Sequence, residues 1–144
     1  MGMESVVIGT KSFENGNGQK TLNHLLTCLY SIDIDFLRSF PNTPKLYDSG
    51  IRYKEEPLGQ ERWNDIPTVM SRGIGDCEDL ACWRSAELVM QGIAAVPKWL
   101  LREVGQFRIY HIVVLHPNGV IEDPSYKLGM SPAFNVQSPS QWRE

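Results

Sequence analysis

Apolar residues recur at Leu22, Leu25, Leu26, Leu29 and Tyr30, the three-and-four spacing that lines one stripe of a helix. Thr21 offers an N-cap side chain, and Pro41, Asn42 and Pro44 stop the run, so the pattern predicts a helix from about residue 21 to about residue 40. Ahead of it, Ser5-Val6-Val7-Ile8-Gly9-Thr10 is rich in strand formers and ends before the turn cluster Asn15-Gly16-Asn17-Gly18. Residues 45–62 are irregular apart from a short strand at Ile51-Arg52-Tyr53. Asp65 predicts the cap of a short helix over residues 66–71, with Pro67 tolerated in its first turn, and Gly73 and Gly75 allow a tight connection after it.

A second strong helix is predicted over residues 77–90, with Asp76 as its N-cap and Gly92 as its stop. Ala81, Cys82, Ser85, Ala86, Leu88 and Val89 form one small, mostly apolar face, which leaves Glu78, Asp79, Glu87 and Gln91 largely on the other side. The pattern then turns to strands at about residues 95–103, 108–116 and 120–123, and the tail from Ser131 is expected to wrap the surface. Helices followed by antiparallel strands define an α+β chain. No repeat, low-complexity tract or long linker divides it, so a single domain over residues 1–144 is expected, with its core at about 21–130.

Composition narrows the classes. A length of 144 residues matches one domain of roughly 150 residues. The net charge is −3 and the pI about 5.6, which argues against a nucleic-acid partner, whose recognition usually needs a basic surface. No stretch approaches the roughly 18 apolar residues of a membrane span, so no membrane partner is expected. The first residues lack a signal peptide's basic and apolar regions, and Val6 stands where a myristoylation motif wants Ser or Thr. Three cysteines, Cys28, Cys77 and Cys82, cannot complete a disulfide framework. Reduced thiols in a cytoplasmic compartment are expected.

The stretch Gly73-Ile74-Gly75-Asp76-Cys77-Glu78-Asp79-Leu80-Ala81 places Cys77 at the first helical position. Unpaired N–H groups and the positive end of the helix dipole favour an anion there, a known way to lower a thiol from its usual pKa of ~8.5 toward thiolate. The same N–H groups can contribute to an oxyanion hole. The neighbouring acids Asp76, Glu78 and Asp79 oppose a thiolate, so a partner imidazolium is needed. Most isolated cysteines simply pack. Cys28 and Cys82 are assigned that role on apolar helix faces.

Among the three histidines, His24 is expected in solvent in the first helix and His116 exposed at a turn. His111 lies mid-strand in Arg108-Ile109-Tyr110-His111-Ile112-Val113-Val114-Leu115, where a ring must find a partner or suffer desolvation. The sequence His116-Pro117-Asn118-Gly119 suits a three-residue loop that sets His116 opposite Val120, Val113 opposite Asp123 and His111 opposite Ser125. In that register His111 and Asp123 are diagonal neighbours on one face, with backbones roughly 7–8 Å apart, and Glu122 points to the other face. A two-residue Asn118-Gly119 loop would separate His111 from Asp123.

Gly75-Asp76-Cys77-Glu78-Asp79-Leu80-Ala81, then Tyr110-His111-Ile112-Val113-Val114, then Pro117-Asn118-Gly119 before Asp123 together resemble the transglutaminase-like cysteine peptidase superfamily, in its small bacterial and bacteriophage branch. The order Cys, His, Asp matches, and Trp63 with Pro67 ahead of the glycine-rich approach is in the family's style. The likeness runs from about Tyr47 to Met130. It implies a papain/transglutaminase-like core, with the nucleophile helix packed on an antiparallel sheet. It implies Cys77 as nucleophile, His111 as general base and then acid, and Asp123 as the residue orienting the imidazole. In the family's adhesin-cleaving periplasmic proteases, acids flanking the cysteine bind calcium, which would put calcium near Asp76 and Glu78. No other metal or cofactor is implied. Trp63 and Gln60 are candidates for a second oxyanion donor.

The resulting expectation is a thiol-dependent acyl-transfer enzyme, a cysteine peptidase or amidase acting on a protein or peptide. A transglutaminase or deamidase using the same triad is the alternative. A phage structural or interaction protein that retains the fold without catalysis is the reading from another class. Its location would be the cytoplasm or, for a phage-encoded protein, the host cytoplasm or virion.

Overall fold

The computed structural model describes residues 5–8, 18–56, 61–104 and 107–131. In chain order the elements are β1 (Ser5–Ile8), α1 (Gly18–Ser39), a 3₁₀ turn (Leu46–Asp48), β2 (Arg52–Tyr53), β3 (Glu61–Asn64), α2 (Ile66–Arg72), β4 (Ile74–Gly75), α3 (Cys77–Met90), β5 (Val96–Val104), β6 (Phe107–Leu115), β7 (Ile121–Glu122) and α4 (Pro124–Lys127). The chain is α+β. Expectations for Met1 and Gly2, Gly9 and Thr10, the turn at 15–17, Gln60 and the tail beyond Ser131 lie outside the described residues.

Helix α3 owes its limits to the residues that bracket it. The Asp76 side chain caps its start, the Asp79 side chain accepts in turn from the Asp76 N–H at 3.1 Å, and Gly92 leaves the helix at φ +85°. The helix lies between two apolar clusters. On one side Ala81 and Cys82 meet Leu22, Leu26 and Leu29 of α1, Trp99 and Leu101 of β5, and Ile112 and Val114 of β6. On the other, Leu80, Trp83 and Ala86 meet Leu37, Leu46, Ile51, Ile66, Val69 and Leu128. With neighbours on both sides, α3 has no solvated face of the kind its polar positions suggest: Glu78, Asp79 and Glu87 are all buried. Each is held by hydrogen bonds, which is the condition for burying such groups.

One helix start and one strand differ from the sequence reading. Helix α1 begins at Gly18, so Thr21 lies inside it rather than at its cap. Strand β3 begins at the end of the stretch expected to be irregular and runs on to Asn64, because its partner is β1 more than fifty residues upstream, with Val6 opposite Trp63. The short strand β2 pairs in parallel with β4, Tyr53 opposite Gly75. Helix α2 matches the expectation: Asp65 accepts from the Thr68 N–H at 3.0 Å, and Gly73 closes the helix at φ +75°.

Strands β5, β6 and β7 form an antiparallel sheet in that order. Pro97 sits on the edge strand β5, where its missing N–H is tolerated. The β6–β7 register is Val114 opposite Glu122 and Leu115 opposite Ile121, the register of the three-residue loop. The Gly119 N–H donates to the His116 carbonyl at 2.9 Å, and the His116 N–H to the Val120 carbonyl at 2.9 Å. Gly119 adopts φ +89°, a backbone conformation that glycine enters without strain. The ladder stops at Glu122, because Pro124 follows and Asp123 caps α4. Ser125 therefore belongs to α4 and does not stand opposite His111 in a strand.

Candidate functional site

The start of α3 is fastened from three directions. Asp76 Oδ1 accepts from the Cys77 N–H at 2.7 Å, and Oδ2 accepts from the Glu56 N–H at 3.1 Å, which ties in the segment after β2. Asp79 accepts from the Asn64 N–H at 2.7 Å and from Asn64 Nδ2 at 3.1 Å, which ties in β3. Burial raises the Asp79 carboxyl to about 7 against the pull of those N–H donors, and burial likewise raises Asp76. The Cys77 N–H, expected to be available to an oxyanion, is thus engaged by the Asp76 cap.

The thiol of Cys77 is half-buried, and its Sγ donates to Glu78 Oε2 at 3.4 Å. Its other neighbour is the edge of β6. The His116 N–H points to β7, so by alternation the N–H of Ile112 points the same way, past the end of β7, where it faces the Cys77 thiol. Burial, followed by the charges of Asp76 and Glu78, raises the thiol well above its ordinary value, and the Ile112 N–H opposes that rise. The position at the helix start therefore does not by itself produce a thiolate, because the thiol is desolvated and flanked by acids.

His111 adjoins that contact by one residue. It is buried, 1% exposed, and its Nε2 lies 2.9 Å from Asp123 Oδ2. Asp123 divides its work: Oδ1 accepts from the Tyr126 N–H at 3.3 Å as the cap of α4, while Oδ2 meets the imidazole. Ionised Asp123 can only accept, which places the neutral ring's proton on Nε2 and gives Nδ1 the basic lone pair. The diagonal approach of His111 and Asp123 follows from the three-residue loop. Side-chain alternation turns Ile112 into the core shared with α1 and α3 and His111 to the opposite face. Cys77 is partly buried against the cluster on the Ile112 side.

Several other expectations resolve here. Asp76, Cys77 and Glu78 bring their ligand atoms within 4.8 Å of one another, but both Asp76 oxygens already accept backbone N–H groups and the third donor is a sulfur. Calcium takes six to eight oxygen ligands, so this donor set does not fit it, and the acids serve the helix cap and the thiol. Trp63 is buried, and its Nε1 has no hydrogen-bond partner among the described residues. Cys82 is buried and packs as expected, whereas Cys28 is exposed on α1, one residue away from the buried Leu29 and off the apolar stripe. His24 is exposed. His116 is not a solvated turn residue: its Nε2 lies 2.9 Å from Glu122 Oε1 across the hairpin.

Glu122 anchors a second cluster that sequence reasoning missed. It accepts from the Tyr47 hydroxyl and from Arg84 Nε at 2.6 Å, besides facing His116. Arg84 also pairs with Glu87 at 3.1 Å, and Arg84 and Lys127 each lie 4.9 Å from the centre of the Tyr47 ring. Burial works to raise Glu122, but the Tyr47, Arg84 and His116 hydrogen bonds outweigh it and bring the carboxyl down to about 2. Tyr53, also unmarked in the sequence, is half-buried beside the α3 start, and its hydroxyl is raised by burial and then by the charges of Asp76 and Cys77.

Comparison with protein-family models, with curated proteins and with solved structures finds no match to this chain. Among the described residues, no helix is long and apolar enough to cross a membrane.

Proposed function

We propose that the protein is a thiol-dependent acyl-transfer enzyme of the cysteine peptidase or amidase type, built on a papain- or transglutaminase-like core, with Cys77, His111 and Asp123 as its catalytic group. One observation carries this reading: His111 Nε2 lies 2.9 Å from Asp123 Oδ2, one residue along β6 from the Ile112 N–H that faces the Cys77 thiol. Nucleophile, base and orienting acid thus come from a helix start and one hairpin.

In the first half-reaction the sulfur adds to an amide carbonyl carbon, its proton passes to His111 Nδ1, and the carbonyl electron pair moves to oxygen. Collapse breaks the C–N bond, His111 returns the proton to the departing amine, and a thioester remains on Cys77. Water then adds to the thioester while His111 takes its proton. The C–S bond breaks and the proton returns to sulfur. Asp123 stabilises the imidazolium formed in each half. Trp63, whose buried indole N–H has no partner among the described residues, and Gln60 are the candidates for a second oxyanion donor. The substrate class is a protein or peptide amide. Hydrolysis is favoured over amine transfer because water is always present, whereas crosslinking needs a second, shielded amine site. The resting thiol must stay reduced, which suits a cytoplasmic setting.

The test is acylation with p-nitrophenyl acetate followed by peptide mapping. A burst of p-nitrophenolate with acetyl on Cys77 is expected. C77A should abolish the burst, and H111A should slow it by about 10²–10⁴-fold. Acetylation of exposed Cys28 alone, or equal rates in H111A, would overturn the reading and favour a non-catalytic binding module. Added primary amines intercepting the acyl group would move the assignment to transglutaminase.

A further inference from the structure

Glu78 is a buried acid that the proposed reaction does not use. It follows Cys77 directly, is 4% exposed, and its Oε2 lies 3.4 Å from the Cys77 sulfur. Position 78 is one of the two that family resemblance would give to calcium, and the donor set here does not fit that ion. The carboxylate instead faces a group with a proton to donate.

We propose that Glu78 is a positioning residue that holds the Cys77 proton in the resting protein, and so sets when the nucleophile becomes available. The reading rests on the proposed thiol chemistry but concerns the thiol alone. A carboxylate that accepts S–H stabilises the protonated sulfur, and once the proton has left it faces a like charge across the same 3.4 Å. Ionisation by direct transfer to Glu78 is uphill, because a thiol is the far weaker acid of the two. The proton therefore leaves toward His111, on the β6 side of the sulfur, and that step has to overcome the Glu78 contact. Among the described residues, the other groups facing the thiol are Asp76 at the α3 cap, Tyr53 on β2 and the Ile112 N–H on β6. Only the Ile112 N–H among these favours the thiolate. Glu78 is the acid in hydrogen-bond contact with the sulfur, which distinguishes it from Glu55, an exposed acid of the same neighbourhood.

The experiment is a pH profile of iodoacetamide labelling, read site by site by mass spectrometry on the full chain. Exposed Cys28 serves as the internal reference, and buried Cys82 reports unfolding. In the wild type, Cys77 is expected to titrate above Cys28. E78Q should move the Cys77 profile down by about one pH unit, or roughly tenfold faster labelling at pH 7. E78D, which keeps a carboxylate, should stay nearer the wild type, and E55Q should move it by less than half as much as E78Q. An unchanged profile in E78Q, or an equal shift in E55Q, overturns the proposal. So does a shift of the wild-type profile by calcium or EDTA, since that would return the acids to a cation. If Cys82 labels in E78Q, the decisive measurement is the Raman S–H band of the wild type, isolated by subtracting C77S. A band lowered by hydrogen bonding supports the contact, and a free-thiol frequency overturns it. Failure of acetyl transfer together with a shifted E78Q profile would sink the enzyme reading and leave this one standing.

Discussion

The acids at the start of α3 and Glu122 on β7 are shifted in opposite directions. At the start of α3, Asp76 and Asp79 are surrounded by backbone and amide N–H groups, and burial raises both. At Glu122 the partners are Arg84, His116 and a tyrosine hydroxyl, and the carboxyl falls to about 2. Burial alone therefore does not decide the charge of an acid in this fold. Amide donors leave Asp76 and Asp79 raised, and Arg84 leaves buried Glu87 raised as well, whereas the Tyr47, Arg84 and His116 hydrogen bonds together outweigh the desolvation of half-buried Glu122. The first cluster caps α3 beside a thiol, and the second is a charged clamp joining the 3₁₀ turn, α3 and β7.

The comparison breaks most severely if the clamp loses its cation. Arg84→Met leaves buried Glu87 and half-buried Glu122 without their shared guanidinium, and chemical denaturation should show a loss of about 3–5 kcal/mol. Next is the acid limb of stability. The folded Glu122 carboxyl lies below its ordinary value of 4.5, so its contribution is complete above about pH 4.5 and is lost as pH falls through about 2. Melting curves across that window should show up to ~3 kcal/mol of loss in the wild type that is missing in Glu122→Gln. An equal loss in both proteins would place the acid sensitivity elsewhere.

Asp79 sharpens the contrast because its sign is reversed. Its folded carboxyl is raised above the ordinary 3.8, so ionising it disfavours the fold, and stability falls as pH rises from about 4 through about 7. Asp79→Asn should remove that slope while costing about 1–2 kcal/mol at low pH, where the amide cannot replace both acceptor oxygens. The smallest effect is expected from Gly119→Ala. No atom lies within 4 Å of the added methyl, so only the positive φ is strained, at roughly 1 kcal/mol. Thermal melting measures that loss, and an unchanged Nε2 chemical shift for His111 would show that the register persists.

Much of this arrangement is legible in the chain. Asp76 and Gly92 mark the limits of α3, and Pro117-Asn118-Gly119 selects the register that brings Asp123 to His111. What escapes the sequence is non-local. Strand β3 exists because β1 pairs with it from a distant segment, and periodicity within residues 45–62 carries no trace of that partner. Glu78, Asp79 and Glu87 read as solvated because an amphipathic pattern assumes one buried face, whereas α3 is enclosed by two clusters. His116 looked exposed because its acid arrives from across the turn. The raised thiol of Cys77 depends on burial and on where the Glu78 side chain points, neither of which residue spacing encodes.

Glu122 and Asp123 are consecutive, yet one closes the clamp and the other holds the imidazole. Their division of labour is a matter of parity. A surface hairpin loop is ordinarily where a chain best accepts a change of length. Here, removing a single loop residue would shift every position of β7 by one, turning Glu122 toward the His111 face and Asp123 away from it. The loop can vary in composition wherever its glycine is kept, but its residue count acts as an indexing pin for both acid clusters at once.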